Sequence, residues 1–147
     1  MKTKFRKSLL LLGFLGLGLG SCSDDDNDNV AMTDQTLLKV FEQMYPGVPV
    51  VEWEVEFGIY RAEFLKDGKP AEAWFQPDGT WVKTKTDLLP TDLPEAVVNF
   101  LAENYAGFPI DDVDWVETPS GSYYFVELDA KGADIYLQLL PDGSLLT

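Results

Sequence analysis

The sequence predicts an α+β fold made of two tandem repeats, each a helix followed by a four-stranded antiparallel meander. Together the repeats are expected to form one continuous sheet with the two helices on one face. Three observations support this. Apolar residues first follow a helical spacing and then alternate strictly with glutamates, as in a half-buried strand. Asp-Gly and Pro-Asp-Gly turns separate the strands that follow. The same order of signals recurs 60 to 64 residues later, which is typical of an internal repeat.

The first repeat is expected to span residues 34–88. Its helix begins at Thr33 or Asp34, whose side chains can cap the first turn, and ends before Gly47, since Pro46 cannot continue a helix. A fourth strand is expected over residues 81–86. The first three strands are predicted to turn these side chains toward the helix: Val51, Trp53, Val55, Phe57, Tyr60, Ala62, Phe64, Ala71, Ala73 and Phe75.

The second repeat is expected to span residues 93–147. Pro94 suits the first turn of a helix that ends near Gly107. Strands are predicted around residues 113–115, 124–128 and 135–139, with a short last strand over 144–147. The positions that match between the repeats are Tyr45 with Tyr105, Gly47 with Gly107, Pro49 with Pro109, Trp53 with Trp115, and Pro77-Asp78-Gly79 with Pro141-Asp142-Gly143.

Residues 1–21 have the parts of a secretion signal: a basic start, an apolar run too short to remain in a bilayer, and small residues at the end. The motif Leu19-Gly20-Ser21-Cys22 resembles the bacterial lipobox, in which Cys22 becomes the first mature residue and carries the lipids. Such an anchor holds a protein on a membrane without crossing it. The alternative is a spare cysteine after an ordinary signal.

Residues 22–33 are expected to form a disordered acidic tether, because Asp, Asn and Ser bury little apolar surface. Within this tether, Ser23-Asp24-Asp25-Asp26 resembles the export signal that sends some Gram-negative lipoproteins to the outer face of the outer membrane. The alternative is a solvated linker on a lipoprotein that stays on the periplasmic face.

Composition excludes several classes of function. Residues 1–21 hold four of the 11 Lys and Arg and none of the 25 Asp and Glu, so their removal changes the net charge from −14 to −18. A chain this acidic repels nucleic acid. The absence of histidine excludes His-based zinc sites and Ser-His-Asp catalysis. A calcium site at Asp111, Asp112 and Asp114 competes with a solvated loop, which we favour. We expect a monomer with no enzyme activity, cofactor or metal.

The lipobox, the tandem units, the Tyr-x-Gly helix ends, the strand tryptophans and the Pro-Asp-Gly turns resemble the PepSY-like family of small secreted bacterial proteins, which is described as similar to beta-lactamase inhibitory protein. The resemblance implies an antiparallel sheet with helices on one side and a non-enzymatic binding or inhibitory role. The inhibitor itself is disulfide-bonded. This chain has a single cysteine, Cys22, and therefore cannot form an internal disulfide bond. The resemblance therefore does not imply that this chain inhibits a beta-lactamase.

Strand alternation predicts a group of large side chains on the sheet face away from the helices: Trp74, Trp81, Tyr123, Phe125, Tyr136 and Leu145. Exposed aromatic groups surrounded by charges are typical of binding surfaces, and we expect a protein partner there. One alternative is a glycan stacked on Trp74, Trp81 and Tyr123. Another is ordinary cross-strand packing.

Overall fold

The computed structural model describes residues 35–146, within which the chain forms two α-helices, one 3-10 helix and seven strands. The elements are α1 Gln35–Met44, β1 Val50–Glu56, β2 Ile59–Lys66, β3 Lys69–Phe75, β4 Trp81–Leu88, the 3-10 helix Pro90–Asp92, α2 Glu95–Asn104, β5 Ile110–Thr118, β6 Gly121–Leu128 and β7 Ile135–Leu139. The strands pair antiparallel in sequence order from β1 to β7. In this part of the chain no helix has the length and apolar content to cross a membrane.

The α1 and α2 helices pack on the same face of the sheet, each against the strands of its own half. Leu37 and Phe41 of α1 contact one set of buried residues: Ala62, Phe64, Ala71, Ala73 and Phe75. Val97 and Leu101 of α2 contact another: Leu93, Val113, Val126, Leu128, Leu137 and Leu139. Burying one such large apolar side chain stabilises the fold by roughly 1.5–3 kcal/mol. The cores are separate because β4 places buried Thr84 and Thr86 between them.

The predicted α+β class, with its helices and antiparallel sheet, is confirmed, but the last strand is not complete. Residues 144–146 of the described chain form a single β-bridge, between Leu145 and Leu139, instead of a full strand. Beside this bridge, the Leu146 N–H donates a hydrogen bond of 2.9 Å to the Gln138 carbonyl. The predicted helix start at Thr33 or Asp34 lies outside the described residues, and the tandem-repeat organisation stays a prediction.

Phe57 does not continue the inward side of β1. It occupies the first turn position of the β1–β2 hairpin with φ +51°, next to Gly58 at φ +78°, and it is 98% exposed. A two-residue turn with positive φ at each position matches the twist of a hairpin. Alternation predicts Phe57 incorrectly because the turn begins one residue before Gly58.

The Pro-Asp-Gly turns bring glycines against the helices, and this contact generates a stability prediction. Gly143 has φ +84°, and a Cβ built on it would lie 2.6 Å from the Ala96 carbonyl oxygen of α2. Gly79 has φ +87°, but its Cβ would meet only the side-chain methyls of Thr36 and Val40, at 3.2 Å. Both alanines would be strained in the left-handed region.

We expect Gly143→Ala to lower the free energy of unfolding by about 2–4 kcal/mol, because helix backbone cannot move aside as a methyl can. The matched variant Gly79→Ala should cost about 1 kcal/mol. Urea denaturation of the wild type and the two variants measures the difference. Equal losses would show that backbone strain alone, without the contact to α2, decides the effect.

Candidate functional site: the open face of the sheet

The side of the sheet away from the helices, here called the open face, is mostly charged at one end and aromatic at the other. The cross-strand register assigns these residues to it: Glu52, Glu54, Glu56, Arg61, Glu63, Glu72, Trp74, Lys83, Lys85, Asp87, Asp112, Asp114, Val116, Tyr123, Phe125, Glu127, Tyr136 and Gln138. Residues opposite one another in a register share a face, which makes the assignment independent of the alternation rule.

Trp74, Tyr123, Phe125 and Tyr136 lie on the open face, as the sequence predicts. Whether they bind a partner stays a prediction. Trp74 lies under the Lys83 ammonium, whose nitrogen is 4.4 Å from the ring centroid. Phe125 stacks on Tyr136 with centroids 5.8 Å apart and planes 20° apart, and Tyr136 is 57% exposed. Trp74 and the Phe125–Tyr136 pair are therefore separate aromatic sites, on different halves of the sheet.

Trp81 was predicted on the open face and lies on the opposite one. It packs against the α1 core, and its Nε1–H donates a hydrogen bond of 2.9 Å to Thr84 Oγ1. The cause is a β-bulge: Trp74 pairs with Lys83, but Phe75 pairs with Trp81, so β4 carries one extra residue there. A bulge reverses the facing of every residue beyond it, and single-sequence alternation contains no signal for it.

Leu145 is a second correction to the predicted face. Its bridge partner Leu139 is fully buried in the α2 core. Residues opposite each other point to the same side of a sheet, so the register places Leu145 on the helix side. The sequence prediction continued the alternation of β7 through residues 141–143 to Leu145. The Pro-Asp-Gly turn interrupts that alternation, so it does not predict the face of Leu145.

A cluster of charged side chains at the β1–β3 end of the open face is centred on Arg61. Its guanidinium forms ion pairs with Glu72 and Glu63, each at 3.2 Å, and with Glu54. Burial raises the pKa of Glu63, and the carboxylates of Glu54, Glu72 and Glu52 raise it further, while Arg61 opposes them. One cation shared among several carboxylates leaves this end of the face negative.

Asp114 is fully buried at the centre of the open face, although the sequence predicted a solvated loop or a calcium ligand there. Its Oδ2 forms an ion pair with Lys85 Nζ at 2.7 Å, and neither carboxylate oxygen has a well-oriented hydrogen bond among the described residues. Burial raises the pKa of Asp114 to about 7, against the opposing effect of Lys85. In the described residues no group of three or more His, Cys, Asp or Glu could hold a metal ion.

Sequence reasoning missed Asp114 and Phe57. It also predicted Val51 to face the helix, whereas Val51 is 72% exposed because the register shifts between Val50 and Glu52. Asp114 shares a strand side with Asp112 and Val116, and a carboxylate between such neighbours is expected to be solvated. The contacts that bury it come from β4 and β6, on which Asp87 and Phe125 lie directly opposite. For Phe57, the signal was present in the Phe-Gly pair between two alternating segments, which is typical of a two-residue turn.

The raised pKa of Asp114 predicts that stability falls as pH rises. Between pH 3.8 and about 7 the folded state holds a proton on Asp114 that the unfolded chain has released. This contribution to stability is therefore complete below pH 3.8, declines as pH rises toward about 7, and is absent above that pH. From pH 5 to pH 8 the loss should be roughly 2–3 kcal/mol, at about 1.4 kcal/mol for each pKa unit.

We expect Asp114→Asn to flatten this part of the stability curve, because the amide keeps the shape of the carboxyl without its charge. The control is Glu103→Gln, which removes an exposed carboxylate on α2, away from Asp114. Chemical denaturation at several pH values measures the effect. If wild type and Asp114→Asn have parallel curves, burial of Asp114 does not control the pH dependence.

Several solved structures from species of Bacteroides have a similar fold. A BLIP-like protein from Bacteroides fragilis is 28% identical with a TM-score of 0.75, and the match covers 84% of this chain and 89% of that one. A DUF2874 family protein from Bacteroides ovatus is 29% identical with a TM-score of 0.70, covering 78% and 84%. A protein from Bacteroides eggerthii described as "putative periplasmic" is 24% identical with a TM-score of 0.68, covering 77% and 85%, and shows the fold alone.

No curated protein matches the chain. A family model does match it, over residues 58–147, and the family is described as "Putative beta-lactamase-inhibitor-like, PepSY-like". This match extends from the first hairpin turn through the last described strand, and the structural neighbours carry the same helix-and-sheet arrangement. The chain therefore belongs to the beta-lactamase-inhibitor-like, PepSY-like family.

Proposed function

We propose that this protein is a non-enzymatic binding module that docks a protein partner on its open face. The observation that carries the proposal is a set of half-buried and exposed aromatic rings beside charged groups, on a sheet surface that no described helix covers. Trp74 with Lys83, and Phe125 with Tyr136, provide large apolar contacts beside polar groups. Aromatic anchors of this kind supply most of the binding energy in protein interfaces. The inhibitor-like family and the BLIP-like neighbour support a binding role.

The geometry favours a protein over a glycan. Stacking on a sugar was predicted to need Trp74, Trp81 and Tyr123 together, and Trp81 lies on the helix side. One ring face of Trp74 is covered by Lys83, and Phe125 stacks on Tyr136. Rings already in contact with neighbours offer edges and partial faces, which suit a protein surface better than a flat sugar ring.

The charge of the open face indicates a partner with a basic patch. Glu54, Glu63 and Glu72 share the single guanidinium of Arg61 within the described chain. Complementary charge raises association rates and excludes partners of the wrong sign. A basic partner would also suit the strongly acidic chain as a whole.

The proposal places the module on a membrane through lipids on Cys22, with residues 1–21 removed as a signal peptide. These residues lie outside the described part of the chain. The 13 residues from 22 to 34 could reach at most roughly 45 Å when extended. With Ser23, Asp24, Asp25 and Asp26 as export signal, the module stands on the outer face of the outer membrane. Without that signal it stands on the periplasmic face.

The proposal also includes descent from a duplicated helix-and-meander unit. In each half a Pro-Asp-Gly turn packs its glycine on a helix: Gly79 on Thr36, and Gly143 on Ala96. Each half also has a register shift at the start of its first strand, between Val50 and Glu52 and between Ile110 and Asp112. Contacts and irregularities that recur at matching positions are hard to explain without a common ancestor.

The binding proposal predicts a specific loss of capture from envelope extract. The full chain with a C-terminal affinity tag should retain a protein partner, and the double variant Trp74→Ala, Tyr136→Ala should retain at least about tenfold less, as expected when hot-spot residues are truncated. The matched control is Phe108→Ala, which removes a 42% exposed aromatic ring outside the open face. Thermal melts check that all variants fold.

Equal capture by the double variant would contradict docking on the open face, and no capture by the wild type would contradict a protein partner. Phe57→Asn is a useful further variant, because asparagine tolerates the positive φ of this turn. A loss with Phe57→Asn alone would move the contact from the face to the hairpin tip.

The anchor predicts a change in location when Cys22 is replaced. In a Gram-negative host, Cys22→Ser should abolish labelling with radioactive palmitate and move the protein from the membrane to the soluble fraction. Replacing Asp24, Asp25 and Asp26 by asparagine should leave the lipid in place but remove accessibility to protease added to intact cells. Unchanged fractionation of Cys22→Ser would contradict lipidation.

A further inference from the structure

The outer edge of β1 is open in the described chain, whereas the opposite edge of the sheet is partly covered. Within residues 35–146, β1 pairs with β2 and with no other strand. At the far edge, Leu145 bridges to Leu139 and the Leu146 N–H donates to the Gln138 carbonyl. An edge strand presents a row of backbone N–H and C=O groups that another strand can pair with.

The two sides of this edge differ in chemistry. Toward the open face, β1 presents Glu52, Glu54 and Glu56. Toward the helix it borders an apolar groove of about 750 Å³ between α1 and β1. Leu38 of α1 is 42% exposed along this groove, and Val55 of β1 is 41% exposed. The apolar part of its lining consists of Leu38, Phe41, Val48, Pro49, Val50 and Trp53, and the polar part comes from α1: Gln35, Lys39, Glu42 and Gln43.

The acidic side of the edge is only partly neutralised by its neighbours, through the ion pair between Arg61 and Glu54. Among the described residues, strands β1 to β3 place five carboxylates on the open face. The same strands place one guanidinium there, that of Arg61.

This charge excludes a second copy of the chain as the strand that pairs here. Two β1 edges side by side would place two rows of glutamates against each other, and like charges on neighbouring strands are destabilising. A strand of opposite charge meets attraction instead of repulsion.

We propose that the β1 edge takes up an extended segment of a partner protein as an additional strand, and that this segment alternates Lys or Arg with apolar residues. Its basic side chains lie beside Glu52, Glu54 and Glu56, and its apolar side chains enter the groove next to Leu38. Backbone hydrogen bonds supply affinity, while the alternation supplies specificity. This surface is distinct from the aromatic sites of the open face and does not depend on them.

A synthetic peptide tests the proposal directly. The probe is a nine-residue fluorescent peptide that alternates lysine and valine, titrated into the full chain in mild detergent and followed by anisotropy. We expect saturable binding that is at least about tenfold tighter, a difference of about 1.4 kcal/mol, than that of a block peptide with the same residues unalternated. Equal affinity for the two peptides would overturn strand addition.

Backbone methylation distinguishes a paired strand from a peptide held only by charge. In an extended strand the residues that share a face also send their N–H groups to one edge. Methylating the nitrogens of all lysines, or of all valines, therefore blocks one edge at a time. We expect one series to lose binding and the other to keep it. Equal behaviour of the two series would overturn the proposal.

Protein variants locate the binding to β1. The double variant Glu52→Gln, Glu56→Gln should weaken binding by about tenfold. The matched control Glu95→Gln, Glu103→Gln removes the same charge from exposed positions on α2 and should leave affinity unchanged. If the β1 and α2 double variants weaken peptide binding equally, the peptide is attracted only by the net charge of the chain, and the β1 edge is not its binding site. The Trp74→Ala, Tyr136→Ala chain should bind the peptide like the wild type, so the two proposals fail separately.

Discussion

The pairing of β4 with β5 joins the two halves of the sheet, and the rest of the structure depends on it. Each helix packs mainly on the strands of its own half, so the cores lie on opposite sides of this seam; Leu88 at the end of β4 is the residue that contacts the α2 core from the other half. The seam is polar on both faces. On the helix side Thr84 shares a hydrogen bond of 2.6 Å with the Tyr45 hydroxyl. On the open face Lys85 reaches the buried Asp114. The Lys85–Asp114 ion pair joins β4 to β5 and requires them to lie in this register, so it favours this register over a shifted pairing.

The same division of the sheet explains where a partner can bind. The helices cover the face that carries the apolar side chains and leave the other face to solvent. Charged residues dominate that face near β1, and aromatic rings lie near β6 and β7. The β1 edge adds unpaired backbone and an apolar groove. Surfaces of different chemistry on one small sheet allow contacts that differ in kind: aromatic anchoring on the face and backbone pairing at the edge.

Sequence reasoning succeeded where neighbouring residues decide the structure and failed where one irregularity changes the facing. The alternation of Trp53 with its flanking glutamates correctly predicts β1, since side chains in a strand alternate whatever they contact. Trp74, Phe125 and Tyr136 were placed correctly for the same reason. Trp81 was misplaced by one bulged residue opposite Phe75, and Leu145 by the turn before it. A register shift of one residue places a side chain on the opposite face of the sheet. No local sequence pattern predicts such a shift.

By itself, the sequence determined the α+β class, most strand positions, the acidic charge and the absence of histidine chemistry, because these depend on composition or on residues a few positions apart. Only the tertiary structure decided which rings share a face, that the core divides at Thr84 and Thr86, and that Asp114 is buried. Those features arise between distant parts of the chain: Lys66 pairs with Glu117 across 51 residues. The burial of a side chain and the pKa of its ionisable group depend on such contacts. These contacts form only when the strands pair in the folded sheet.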